Sequence, residues 1–67
     1  MDIRNQFGAN VSKLRRAKGL SQEKLARVAD IDRSYVSKIE LGKTTVSIVV
    51  AQKISIALGA KMSDFFT

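Results

Sequence analysis

Apolar residues at Ile3, Phe7, Val11 and Leu14 recur at spacings of four, four and three, which lines one face of a helix running from about Asp2 to Lys18. Gly19 ends that pattern, because glycine tolerates the left-handed conformation that closes a helix. Ser21 then predicts the cap of a second helix over about 22–29, with Leu25, Ala26 and Ala29 facing inward. Asp32 caps a third, over about 33–41, whose inner pair is Val36 and Ile39 and whose stop is Gly42. Ser47 caps a fourth, over about 48–58, built on Ile54 and Leu58 with Val50 and Ala51 beside them. Gly59 ends it, and Met62 to Phe66 predicts a final short turn of helix. No stretch alternates with period two over a convincing length, and Thr44 to Val50 reads as a loop entering a helix. The expected fold is all-α, five short helices in one domain spanning residues 1–67.

Composition narrows what such a domain can do. A chain of 67 residues buries only about 60% of its unfolded surface, so its core is marginal and needs help. There is no cysteine, which excludes a disulfide scaffold and suits a reducing compartment. There is no histidine either, which removes the commonest metal ligand and the commonest general base together. No metal, no cofactor and no enzymatic activity are expected; self-association is the stabiliser that remains. Twelve Lys and Arg against six Asp and Glu give a net charge of +6, the mark of a polyanion binder, with nucleic acid ahead of acidic membrane.

The stretch Ser21 to Gly42, SQEKLARVADIDRSYVSKIELG, carries the functional signal. Two short helices meet at a tight connection, Asp30-Ile31-Asp32. Ala26 and Ala29 are small enough to allow close approach, Ile31 fills the space under the turn, and Val36 and Ile39 complete a shared core. That is the physical requirement of a helix-turn-helix, in which the second helix projects outward. With Val36 and Ile39 inward, Ser34, Lys38 and Leu41 point most directly away, Ser37 is intermediate, and Arg33 and Tyr35 flank.

From about Phe7 to Phe66 the chain resembles the Cro/repressor-type (XRE-like) helix-turn-helix proteins, whose fold is lambda-repressor-like. The resemblance is carried by Leu14-Arg15, Lys18-Gly19-Leu20-Ser21-Gln22-Glu23, Leu25-Ala26, Asp32-Arg33-Ser34-Tyr35-Val36-Ser37, Ile39-Glu40, Gly42-Lys43 and Ala57-Leu58-Gly59, all in order. The chain departs from the family at Asp30, where relatives usually carry glycine, and at Val46, where a proline is common. It departs again at Leu41, often polar or basic, and at Lys61, which replaces a small polar cap.

The resemblance implies a double-stranded DNA operator as partner, with the helix-turn-helix (about 21–41) placing the third helix in the major groove. Arg33 has the two parallel donors that suit guanine, and Ser34, Ser37 and Lys38 are the other expected base contacts. Ser21, Gln22, Tyr35, Lys43 and Thr44 are expected on the sugar-phosphate backbone, Gln22 because it opens the second helix, where free N–H groups favour phosphate. Arg15 and Glu40 occupy the places where the family pairs an arginine with a glutamate, so they are expected to form a structural ion pair. Arg4, Lys13, Arg16, Lys18, Lys24 and Arg27 read as mostly solvated charge.

Val49 and Ile56 fall on the non-core face of the fourth helix and predict a dimer seam, extended by Phe65 or Phe66. The expected function is a homodimeric, sequence-specific transcriptional regulator on a roughly palindromic operator. It is expected in the cytoplasm, on the nucleoid, with no membrane partner and no small-molecule ligand: no segment approaches about 18 consecutive apolar residues, and Met1-Asp2-Ile3 does not begin a signal peptide. The alternative is the DNA-binding antitoxin of a toxin–antitoxin pair, which would also bind a protein.

Overall fold

A computed structural model describes residues 2–67. Four side-chain oxygens start four α-helices, each on a residue in extended backbone whose oxygen accepts a backbone N–H that the helix itself leaves unbonded. Asp2 accepts from Arg4 N at 2.9 Å, Ser21 from Lys24 N at 3.0 Å, Asp32 from Ser34 N at 2.8 Å and Ser47 from Val50 N at 3.1 Å. The helices they open are α1 (Ile3–Ala17), α2 (Gln22–Ala29), α3 (Arg33–Glu40) and α4 (Ile48–Leu58). Leu41, expected as the last residue of the third helix, is its C-cap.

The fifth expected helix is a 3-10 helix, Met62–Phe66, so among the described residues the all-α fold has four α-helices and a 3-10 turn. Asp64 accepts from Lys61 N at 2.9 Å, which supplies from within the turn the cap that Lys61 cannot provide. Within the turn Phe65 is fully buried, with its ring 5.2 Å from that of Phe7. Asn10 holds the turn from α1, donating to Phe65 O at 2.8 Å. Phe65 therefore belongs to the monomer's own core and is not available to a dimer seam.

The core joins all five elements: Phe7 and Val11 from α1, Leu25, Ala26 and Ala29 from α2, Val36 and Ile39 from α3, Ala51, Ile54 and Leu58 from α4, and Phe65. One buried position has no large side chain because none fits. A Cβ built on Gly8 would collide with the carbonyl oxygen of Ile39, so α1 crosses directly against the end of α3. Gly8→Ala must push two backbones apart. Overpacking of this kind costs about 1–3 kcal/mol, near the upper end where the obstacle is a carbonyl and not a flexible side chain. Urea unfolding should register that loss in the midpoint with the slope unchanged, and an unaltered midpoint would mean that α1 can slide freely on α3.

Candidate nucleic-acid interface

The connection between α2 and α3 is closed by local geometry. Asp30 ends α2 in the left-handed region (φ 58°, ψ 49°), the sole non-glycine residue among those described with positive φ. Its short polar side chain tolerates that conformation where most residues do not. Ile31 N then bonds Ala26 O at 2.9 Å, and Asp32 starts α3 at once. Asp32 Oδ1 accepts both the backbone N–H and the hydroxyl of Ser34, each at 2.8 Å. Those two bonds, helped by the charge of Lys38, hold the Asp32 carboxyl below its ordinary value of 3.8 and outweigh the small opposing effect of burial.

A shallow concavity on the outside of this turn is lined by Gln22, Asp32, Arg33, Ser34, Ser37 and Lys38. It brings together the four expected base contacts and one of the five expected backbone contacts. Arg33, Ser34 and Lys38 are exposed and Ser37 is half-buried. Among the described residues neither Arg33 nor Lys38 belongs to an ion pair, and the same is true of Lys43. These cations are therefore uncommitted inside the molecule. Ser34 is not: its hydroxyl proton lies on Asp32, so toward a base edge it presents an acceptor oxygen.

Ser21, Tyr35, Lys43 and Thr44 lie outside the concavity. The Ser21 hydroxyl oxygen caps α2 and keeps its own proton to donate. Lys43 and Thr44 follow Gly42, whose positive φ of 70° lets Lys43 N fold back onto Lys38 O at 3.0 Å. Tyr35 packs its ring on the core and donates its hydroxyl to Thr45 O at 3.1 Å, which ties α3 to the following loop. A phosphate contact from that hydroxyl would require this bond to break.

Behind the concavity, Arg15 Nε donates to Glu40 Oε2 at 2.7 Å and Arg15 Nη2 to Glu40 Oε1 at 3.1 Å. Both side chains are nearly out of water, 11% and 6% exposed. Arg15 Nη1 also reaches Leu20 O at 2.7 Å, and Gln22 Nε2 donates to Glu40 Oε1 at 3.1 Å. Burial pushes the Glu40 carboxyl up, but hydrogen bonds from Arg15, Gln22 and Ser12 together with the Arg15 charge bring it net below its ordinary 4.5. One carboxylate thus joins α1, the start of α2 and the end of α3. The Gln22 link escaped sequence reasoning, since an amide opening a helix serves a phosphate or a carboxylate equally well. It leaves Gln22 one amide N–H that is not bonded to Glu40.

Measured against known proteins, the helix-turn-helix family (HTH_3) matches residues 11–65, most of the chain. The chain belongs to the helix-turn-helix family of DNA-binding regulators. It is 48% identical to control protein C.MunI of a Mycoplasma species, across 98% of this chain and 90% of that protein. Among solved structures it superposes on the restriction–modification controller C.AhdI of Aeromonas hydrophila with a TM-score of 0.91 and 43% identity, covering 94% of this chain and 96% of that one. It also superposes on controller protein C.Esp1396I, seen as a tetramer on its natural 35-base-pair operator, with a TM-score of 0.88 and 29% identity over 98% and 87% of the two chains. This family is one of regulators and not of enzymes. No helix among the described residues of this member is long and apolar enough to cross a membrane.

Proposed function

We propose that this regulator acts as a homodimer on a roughly palindromic double-stranded operator, and that it controls a restriction–modification system. The observation that carries the reading is the concavity in which Arg33, Ser34, Ser37 and Lys38 converge with uncommitted cations on the outer face of α3. In this reading residues 1–67 form one lambda-repressor-like domain whose helix-turn-helix is α2 and α3, with α3 in the major groove. Arg33, Ser34, Ser37 and Lys38 read base edges, while Ser21, Gln22, Lys43 and Thr44 grip phosphates. The working place is the cytoplasm, on the nucleoid. The relatives named above are control proteins, which gives the antitoxin alternative no support. Selection of binding sites from random duplexes tests the reading. The expected consensus has two-fold symmetry, with half-site centres about 34 Å apart or a multiple of that; an asymmetric consensus would reject the homodimer, and no consensus would reject base reading.

The dimer face proposed here runs along α4 and the 3-10 turn. Val49 and Ile56 are 64% and 72% exposed, and Ile48, which periodicity alone left unassigned, is 82% exposed. Ile48 lines an apolar groove together with Ile3, Phe7, Val46, Ala51, Met62 and Phe66, and with Arg4 and Thr45 as its polar members. Exposed apolar surface of this extent on one side of so small a domain fits a partner surface. Ile48→Lys and Ile56→Lys should each weaken self-association at least tenfold in sedimentation runs across concentration, with helical content intact. Val28→Lys, on the exposed side of α2 at 52%, serves as the control and should leave association unchanged. If all three variants associate like the parent, the interface lies elsewhere.

A further inference from the structure

Among the described residues three arginines are paired, and one of those pairs is out of place for a merely solvated charge. Arg15 is buried against Glu40, and Arg27 meets Glu23 along α2, whereas Arg4 is held by Asp2 at the start of α1. Arg4 Nε donates to Asp2 Oδ1 at 3.2 Å and Nη2 to Oδ2 at 2.8 Å, with the two side chains 48% and 38% exposed. A pair so open to water is held only weakly.

Its position is the second observation. Asn5 lies against Gly42, where an added Cβ would collide with the Asn5 amide oxygen. Arg4 itself lines the apolar groove together with Thr45. Lys43 and Thr44 lie between those two points. The first turn of α1 therefore touches the start of the loop proposed above to grip phosphates and borders the same groove as its end.

We propose that Arg4 is a further contact to the phosphodiester backbone of DNA, and that Asp2 is the carboxylate from which the phosphate takes it. The inference rests on the DNA-binding reading. A guanidinium meets a phosphate as it meets a carboxylate, through two parallel N–H···O bonds, so the exchange conserves its hydrogen bonds. What tips the exchange is the release of cations condensed on the duplex, which the internal pair cannot offer. Asp2 keeps its bond from Arg4 N, 2.9 Å, and so continues to cap α1 while its second oxygen returns to water. Until DNA arrives, the pair holds a long side chain beside the loop, which reduces the rotamer freedom lost on binding.

The test uses the full chain with Arg4→Gln, Arg4→Lys and Asp2→Asn; asparagine can still accept from Arg4 N and preserves the cap. Each is titrated with a selected operator and with a scrambled duplex of equal length between about 50 and 200 mM salt, alongside sedimentation. Arg4→Gln should lower the slope of log affinity against log salt by about 0.9 per subunit on both duplexes, which over that range is roughly a 3.5-fold change per subunit. Arg4→Lys should keep the parent slope, and Asp2→Asn should bind both duplexes more tightly. An unchanged slope in Arg4→Gln with the dimer intact overturns the proposal, as does a loss traced wholly to a weaker dimer. If the parent itself fails to discriminate operator from scrambled duplex, the base-reading proposal fails instead, since the Arg4 effect is independent of sequence.

Discussion

Glu40→Ala should destabilise the domain by about 3–5 kcal/mol, because it leaves the Arg15 guanidinium buried with no countercharge. Only Leu20 O would remain to accept from it, and Gln22 would lose its partner as well. For a domain of this size the fall in Tm should be roughly 12 °C or more. A cycle with Arg15→Met, Glu40→Leu and the double variant separates pairing from packing. The double variant should lose much less than the sum of the single losses, since an apolar pair leaves no charge stranded; strict additivity would show that the two groups are not coupled. The acid limb has a defined sign. The folded Glu40 carboxyl lies below its ordinary 4.5, so the pair's contribution is fully present above that pH and is lost as pH falls through the lower folded value. Glu40→Leu should flatten that part of the stability profile.

Arg33→Ala should weaken operator binding by about 2–6 kcal/mol for a two-subunit complex, at about 1–3 per half-site, and flatten the preference at one base position. The residue stands in the first turn of α3, exposed, in the concavity, and in no ion pair. Lys43→Ala should behave differently. It should weaken operator and scrambled duplexes alike and lower the salt slope by about one per subunit. Binding curves on both duplexes at several salt concentrations distinguish the two. Equal losses on both duplexes for Arg33→Ala, with a reduced slope, would make Arg33 another phosphate contact and move base reading to Ser34, Ser37 and Lys38.

The parts of this molecule legible from residue order are those governed by a single helix. Ser21, Asp32 and Ser47 announce helix starts because a short side-chain oxygen satisfies a nearby N–H, and each of them does so. Spacing alone cannot place Phe65, because Met62, Phe65 and Phe66 are all apolar and only the 3-10 turn shows that the middle one is buried. Gly8 was silent because its meaning lies in another helix, the one whose terminal carbonyl it touches. Periodicity gives Ile48 and Met62 no part in a partner surface for a related reason: the groove they line exists only once α1, α4 and the turn are brought together. The reading face was easier, since Val36 and Ile39 mark the inner side of α3 and leave the outer side by subtraction.

Because Arg33, Ser37 and Lys38 take part in no cap, ion pair or side-chain hydrogen bond among the described residues, they can change with little structural consequence. Surface substitutions of that kind usually alter stability by no more than about 0.5 kcal/mol. Ser34 is the exception, since its hydroxyl completes the Asp32 cap. Duplicated regulators of this kind sharing one cell could therefore drift apart in the duplex they recognise through three positions alone, each copy becoming deaf to the other's promoter while both still fold.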